Sequence, residues 1–85
     1  MAIVRVTPTQ VDVGCGFFDG RPRNIRIANE RVPVIEISQV RDEMAAYPVA
    51  RGPRRIFDVR TADARLRLSF EKRRRTWWLE GLEAA

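Results

Sequence analysis

The chain of 85 residues contains no histidine, a single cysteine and a single lysine. Each scarcity removes a class of chemistry. One cysteine cannot close an internal disulfide, and without histidine no zinc-type ligand spacing can be assembled. The usual general base of nucleophilic catalysis is missing too. No Gly-rich phosphate loop follows a strand pattern, and no hydroxyl nucleophile stands beside a base. The reading is therefore of a non-enzymatic protein without cofactor or metal. Long apolar runs are also absent: MAIVRVTPTQVDV is too broken for a signal segment, and no stretch reaches bilayer-spanning length. Cytoplasm is the expected compartment.

What the chain does have is arginine and alternation. Length and a 45% hydrophobic fraction set one domain over residues 1–85 with a modest core. The net charge of +5 is uneven: residues 1–50 balance, residues 51–75 hold ten basic and three acidic side chains, and the last ten residues are acidic. Fifteen of the sixteen basic residues are arginine. That bias fits guanidinium recognition of phosphate, but fits better a genome rich in G and C, whose codons favour arginine.

Three runs in the C-terminal third, RRIFDVR, ARLRLSF and TWWLEGL, alternate apolar with polar residues, the pattern of a strand with one buried face. They predict an antiparallel meander. A two-residue loop at Ala62-Asp63 sets Val59 against Leu66, Asp58 against Arg67 and Phe57 against Leu68. A one-residue slip would bring Val59 opposite an arginine, so the register is well specified. Closing the next hairpin over Glu71 to Thr76 sets Phe70 against Trp77, Leu68 against Leu79 and Leu66 against Gly81. Arg55 then lies beside Phe70 and Trp77, where it must snorkel or cover the indole. The outer rows become Ile56, Ser69, Trp78; then Asp58, Arg67, Glu80; then Arg60, Arg65, Leu82.

The N-terminal half predicts the partner layer. Ile3 to Thr7 reads as a short strand ended or kinked at an edge by Pro8, and Val11 to Val13 as a second. Cys15, between two glycines and far from any base, reads as a buried structural residue. Phe17 and Phe18 add core mass before a turn at Asp19-Gly20-Arg21-Pro22. A hairpin broken at Asn29-Glu30 pairs Ile27 with Val32 and Ile25 with Val34, and a phase change after Val34 implies a bulge within Arg31 to Val40. One short helical turn is expected near 41–47, stopped at Tyr47-Pro48. The expected fold is all-β or nearly so: about six antiparallel strands in a small SH3-like or related barrel.

Two surfaces are candidates for function. Lys72, Arg73, Arg74 and Arg75 place four consecutive cations at a hairpin tip, which Arg54, Arg60 and Arg65 extend into a possible nucleic-acid patch for DNA or RNA. The alternative is a solvated turn that deters edge-to-edge pairing. On the outer face, Ile56, Trp78 and Leu82 form a candidate interaction surface for a protein partner or a second copy. Trp78 could instead stack on an unpaired base.

Four segments carry a family resemblance: Gly20-Arg21-Pro22, Phe57-Asp58-Val59-Arg60, Leu66-Arg67-Leu68 and Trp77-Trp78-Leu79-Glu80-Gly81-Leu82. Over roughly residues 19–82 the chain resembles a family of small bacterial domains of unknown function. A similar segment closes the polymerase-like proteins of the bacterial mutasome, relatives of Y-family DNA polymerases. The family's Asp-Gly turn is Ala62-Asp63-Ala64 here, and its acidic residue after the last strand appears as Glu83. The resemblance implies a non-catalytic accessory module near DNA repair and carries over no binding residues.

Overall fold

The computed structural model describes residues 3–16, 19–43 and 53–84. Among them the secondary structure is strand and turn throughout: β1 (Val4–Cys15), β2 (Pro22–Ile27), β3 (Glu30–Pro33), β4 (Glu36–Glu43), β5 (Arg54–Arg60), β6 (Ala64–Glu71) and β7 (Thr76–Ala84). All seven pair antiparallel in one sheet of order β3-β2-β1-β7-β6-β5-β4. The expected all-β fold is therefore the observed one, a sheet curled into a half-barrel. No helix among the described residues is long and apolar enough to cross a membrane.

The curl is closed at one end by two residues. β3 and β4 lie at opposite edges of the sheet yet are separated in the chain by only Val34 and Ile35. The Val34 N–H donates to the Arg23 carbonyl on β2, and the next N–H, of Ile35, donates to the Arg60 carbonyl at the end of β5, both at 2.8 Å. Adjacent residues cannot be farther apart than one peptide step, so the two margins must meet there. This corner accounts for the phase change after Val34. Instead of one bulged strand from Arg31 to Val40 there are two strands, with a smaller irregularity between Ile37 and Gln39.

The meander follows the predicted register through β5 and β6, with Phe57 opposite Leu68, Asp58 opposite Arg67 and Val59 opposite Leu66. Leu68 also faces Leu79, and Phe70 faces Trp77. Phe57, Val59, Leu66 and Leu68 form the inner core with Val11 and Ile25, against which Trp77, Leu79 and Phe70 pack. Toward the end of β7 the register shifts. A bulge places Arg67 opposite Gly81 and Leu66 opposite Leu82, so Glu80 becomes the extra residue. The expected Leu66 to Gly81 pairing is thereby corrected, and Leu82 moves to the inner register.

Gly81 is what permits the bulge to pack closely. A Cβ built on it would lie 2.5 Å from Ile3 Cγ2 and 3.0 Å from Arg67 Cβ. Gly81→Ala should therefore destabilise the protein by about 1 to 3 kcal/mol, as overpacking does. Thermal melting checks this, and an unchanged midpoint would show that Ile3 yields freely.

Elsewhere the structure differs from expectation in ways that local chemistry explains. β1 is one continuous strand between β2 and β7, and Pro8 falls in an irregular stretch between Arg5 and Thr9 where the ladder to β7 is interrupted. A missing N–H is harmless at such a position. The β2/β3 hairpin turns at Ala28-Asn29, one residue earlier than expected, pairing Ile27 with Glu30 and Ile25 with Val32. Both turn residues have positive φ, 50° and 66°, as a type I′ turn requires, and Asn29 suits such a position. Arg41, Asp42 and Glu43 are strand, opposite Ile56, Arg55 and Arg54, rather than helical. The rest of the expected turn at 44–47, like Phe17 and Phe18, lies outside the described residues.

Candidate nucleic-acid interface

The outer face of the meander is an ion-pair lattice. Arg67 donates two hydrogen bonds to the Asp58 carboxylate, at 2.8 and 3.1 Å, and Asp58 is buried. Such two-point contact is the strong form of the charge-assisted bond. Arg54 donates to Glu80 at 2.6 Å and Glu43 at 2.9 Å, Arg65 to Glu83 at 3.1 Å and Arg60 to Glu36 at 3.5 Å. Arg54, Arg60 and Arg65 thus each face a carboxylate, Arg54 in a half-buried pair and Arg60 and Arg65 in more exposed ones.

The proposed apolar surface does not assemble either. Ile56 is 3% exposed, although it lies on the outer row with fully buried Ser69 and half-buried Trp78. Leu82 is exposed but belongs to the opposite face, beside Leu66. Outward orientation, read by subtraction, was correct for Ile56; exposure was not.

The cationic tip does form as expected. Glu71 pairs with Thr76 and Lys72 to Arg75 make a four-residue turn between β6 and β7, with Arg75 at φ 54°. Lys72 Nζ lies 3.7 Å from Asp42, and Arg74 Nε lies 3.7 Å from the buried carboxylate of Glu71. Among the described residues, Arg73 and Arg75 have no carboxylate partner. The uncompensated charge of the region is concentrated on these two.

Beneath the tip, an open cleft of about 760 Å³ is lined by Phe57, Phe70 and Trp77 together with Arg55, Lys72 and Arg75. Trp77 packs against both phenyl rings, its centroid 5.4 Å from Phe57 and 4.9 Å from Phe70, with the planes tilted by 40° and 41°. Tilted contacts at this distance hold the indole firmly. Phe57 is buried, while Phe70 and Trp77 remain partly exposed. Of the two expected arrangements Arg55 takes the first: it snorkels outward and across to Asp42, donating at 2.8 and 3.3 Å. The hydrogen bonds from Arg55 hold the Asp42 carboxyl below its ordinary range.

Cys15, Asp19 and Gly20 complete the lining. The turn before β2 positions Asp19: Gly20 has φ 65°, and its N–H donates to the Gly16 carbonyl at 3.0 Å. The Asp19 carboxylate accepts from the Arg21 N–H at 3.0 Å and from Arg23 at 3.1 Å, and the first of these bonds does most to lower its pKa. Cys15 is exposed, contrary to the buried reading, because β1 reaches its end there. Partial desolvation and the nearby Asp19 push its thiol pKa up, so it is not an activated nucleophile.

Compared with known proteins, the chain matches no family model, no curated protein and no solved structure. Sequence reading found the cations, because a run of four is visible without a fold. It missed the cleft, because Phe70 and Trp77 carry the same alternation as any core residue.

Proposed function

We propose that this protein is a non-enzymatic accessory module that binds nucleic acid weakly through the turn between β6 and β7. The observation that carries this reading is the charge imbalance at one tip: among the described residues Arg73 and Arg75 have no carboxylate partner, and they adjoin Lys72 and Arg74. Phosphate contacts by such side chains gain free energy from release of condensed counterions, which needs no base-specific geometry. A role in the cytoplasmic processing of damaged DNA is part of this proposal, and its support is the resemblance to the mutasome-associated segment. A small barrel of SH3-like type would serve there as a carrier for the tip.

Fluorescence anisotropy with a labelled oligonucleotide across a salt series tests the proposal. Affinity should fall steeply with salt, and Arg73→Ser with Arg75→Ser should flatten the log-log slope by about 1.4 on single strands, from roughly 0.7 per phosphate contact. The paired substitution of Arg60 and Arg65, whose side chains already face Glu36 and Glu83, should leave the slope unchanged. No binding at low salt, or equal slopes for both double variants, would refute the assignment.

A further inference from the structure

We propose that the cleft under the tip is a binding site for an unpaired nucleobase, which makes the protein selective for single-stranded over duplex nucleic acid. This rests on the nucleic-acid reading above and adds the chemistry that discriminates between strands. Three observations converge on it.

First, the partly exposed rings of Phe70 and Trp77 line an open cleft whose volume, about 760 Å³, falls within the range of small-ligand sites. Trp77 is fixed by two ring contacts, so a base would stack on a surface already in place. Second, cations line the cleft together with the rings. Lys72 and Arg75 belong both to the cleft and to the tip, so a phosphate held by the tip lies next to the opening. Third, Asp19 also lines the cleft, but its carboxylate is already bound by Arg23 and by the Arg21 N–H, and Arg55 is held by Asp42. The lining cations left for a phosphate are those of the tip, Lys72 and Arg75, so a strand held there would enter the cleft base first.

A base within a duplex is stacked on both faces and cannot enter without being unpaired. An unpaired base has no such constraint, and stacking on an aromatic side chain is tolerant of its identity. The expected ligand is therefore a flexible single strand of either sugar, read by its bases' faces rather than by their hydrogen-bonding edges.

The test sets base-containing single strands against an abasic strand of identical charge, with a duplex as the more highly charged comparison. Labelled DNA and RNA oligonucleotides carrying bases are titrated beside an abasic sugar-phosphate strand of the same length and beside a duplex. Base-containing single strands should bind roughly tenfold more tightly than the abasic strand, within the range measured for one stacked base. The larger of the DNA and RNA gaps identifies the natural strand. Phe70→Leu, which keeps the apolar volume and removes the ring, should narrow the gap while leaving the salt slope intact. Equal affinity for base-containing and abasic strands, with steep salt dependence preserved, would overturn the cleft assignment and leave the tip assignment standing. Absence of binding by every strand would remove both.

Discussion

Leu68→Ala is expected to lower the stability of the folded chain by about 3 to 5 kcal/mol, the upper part of the range for deleting a buried leucine. Leu68 is fully buried and is the central member of the row Phe57, Leu68, Leu79, where three strands meet. Sheet neighbours are tied by backbone bonds and cannot close in on the void, so the cavity penalty adds to the lost transfer energy. A chain of this length has a total margin of roughly 5 to 10 kcal/mol, so the variant should lose a large share of it. Urea unfolding should show a lower midpoint at unchanged slope. Leu82→Ala supplies the comparison: Leu82 lies in the neighbouring inner row but is 40% exposed, and its truncation should cost less than about 1 kcal/mol. Similar losses at the two positions would mean that the meander's centre is not the centre of the core.

The second large effect is expected at the outer face. Arg67→Met should cost about 2 to 3 kcal/mol, because it leaves the Asp58 carboxylate buried without its two-point partner. The loss comes from stranding the carboxylate rather than from the attraction of an isolated pair. Replacing both residues, Asp58→Leu with Arg67→Met, should therefore recover most of the stability, as is found when buried ion pairs are exchanged for apolar ones. Chemical denaturation of the two single variants and the double variant measures the coupling. A double variant as unstable as the sum of the singles would contradict this account.

These two sites also show what could be read before folding. Both follow from pairing β5 with β6, where each position was specified twice: apolar residues faced one another, and Asp58 met Arg67. The end of β7 lacked that redundancy. Gly81 has no side chain to declare a face, so counting outward from Trp77 placed Leu82 on the wrong side, and only contact with Ile3 and Arg67 reveals the bulge. Pro8 and the Val34 to Ile35 junction failed for a related reason. Proline marks an interrupted ladder but not whether the chain continues through it, and a phase change marks a break but not that the next strand joins the opposite edge.

The candidate site divides along the same line. Lys72 to Arg75 could be found in the sequence because a four-cation turn is a local property. The partnering of Arg54 with Glu43 and Glu80, across strands far apart in the chain, could not. Nor could the different fates of the two tryptophans. Trp78, turned outward, sits beside buried Ser69, whereas Trp77, turned inward, opens onto the cleft.

The joining of the sheet's two margins at Val34 and Ile35 also governs how the molecule behaves in a crowded solution. Fibril growth begins when a flat row of open amides recruits another chain, and neither margin offers one. β3 is four residues long and ends in a proline, while β4 changes register near Ser38, whose hydroxyl donates to the Asp58 carbonyl at 3.0 Å, and carries Glu36, Arg41, Asp42 and Glu43. A newcomer strand would meet a short, kinked or charged template on either side. Seven strands of high β-forming content are thereby kept from templating their own aggregation.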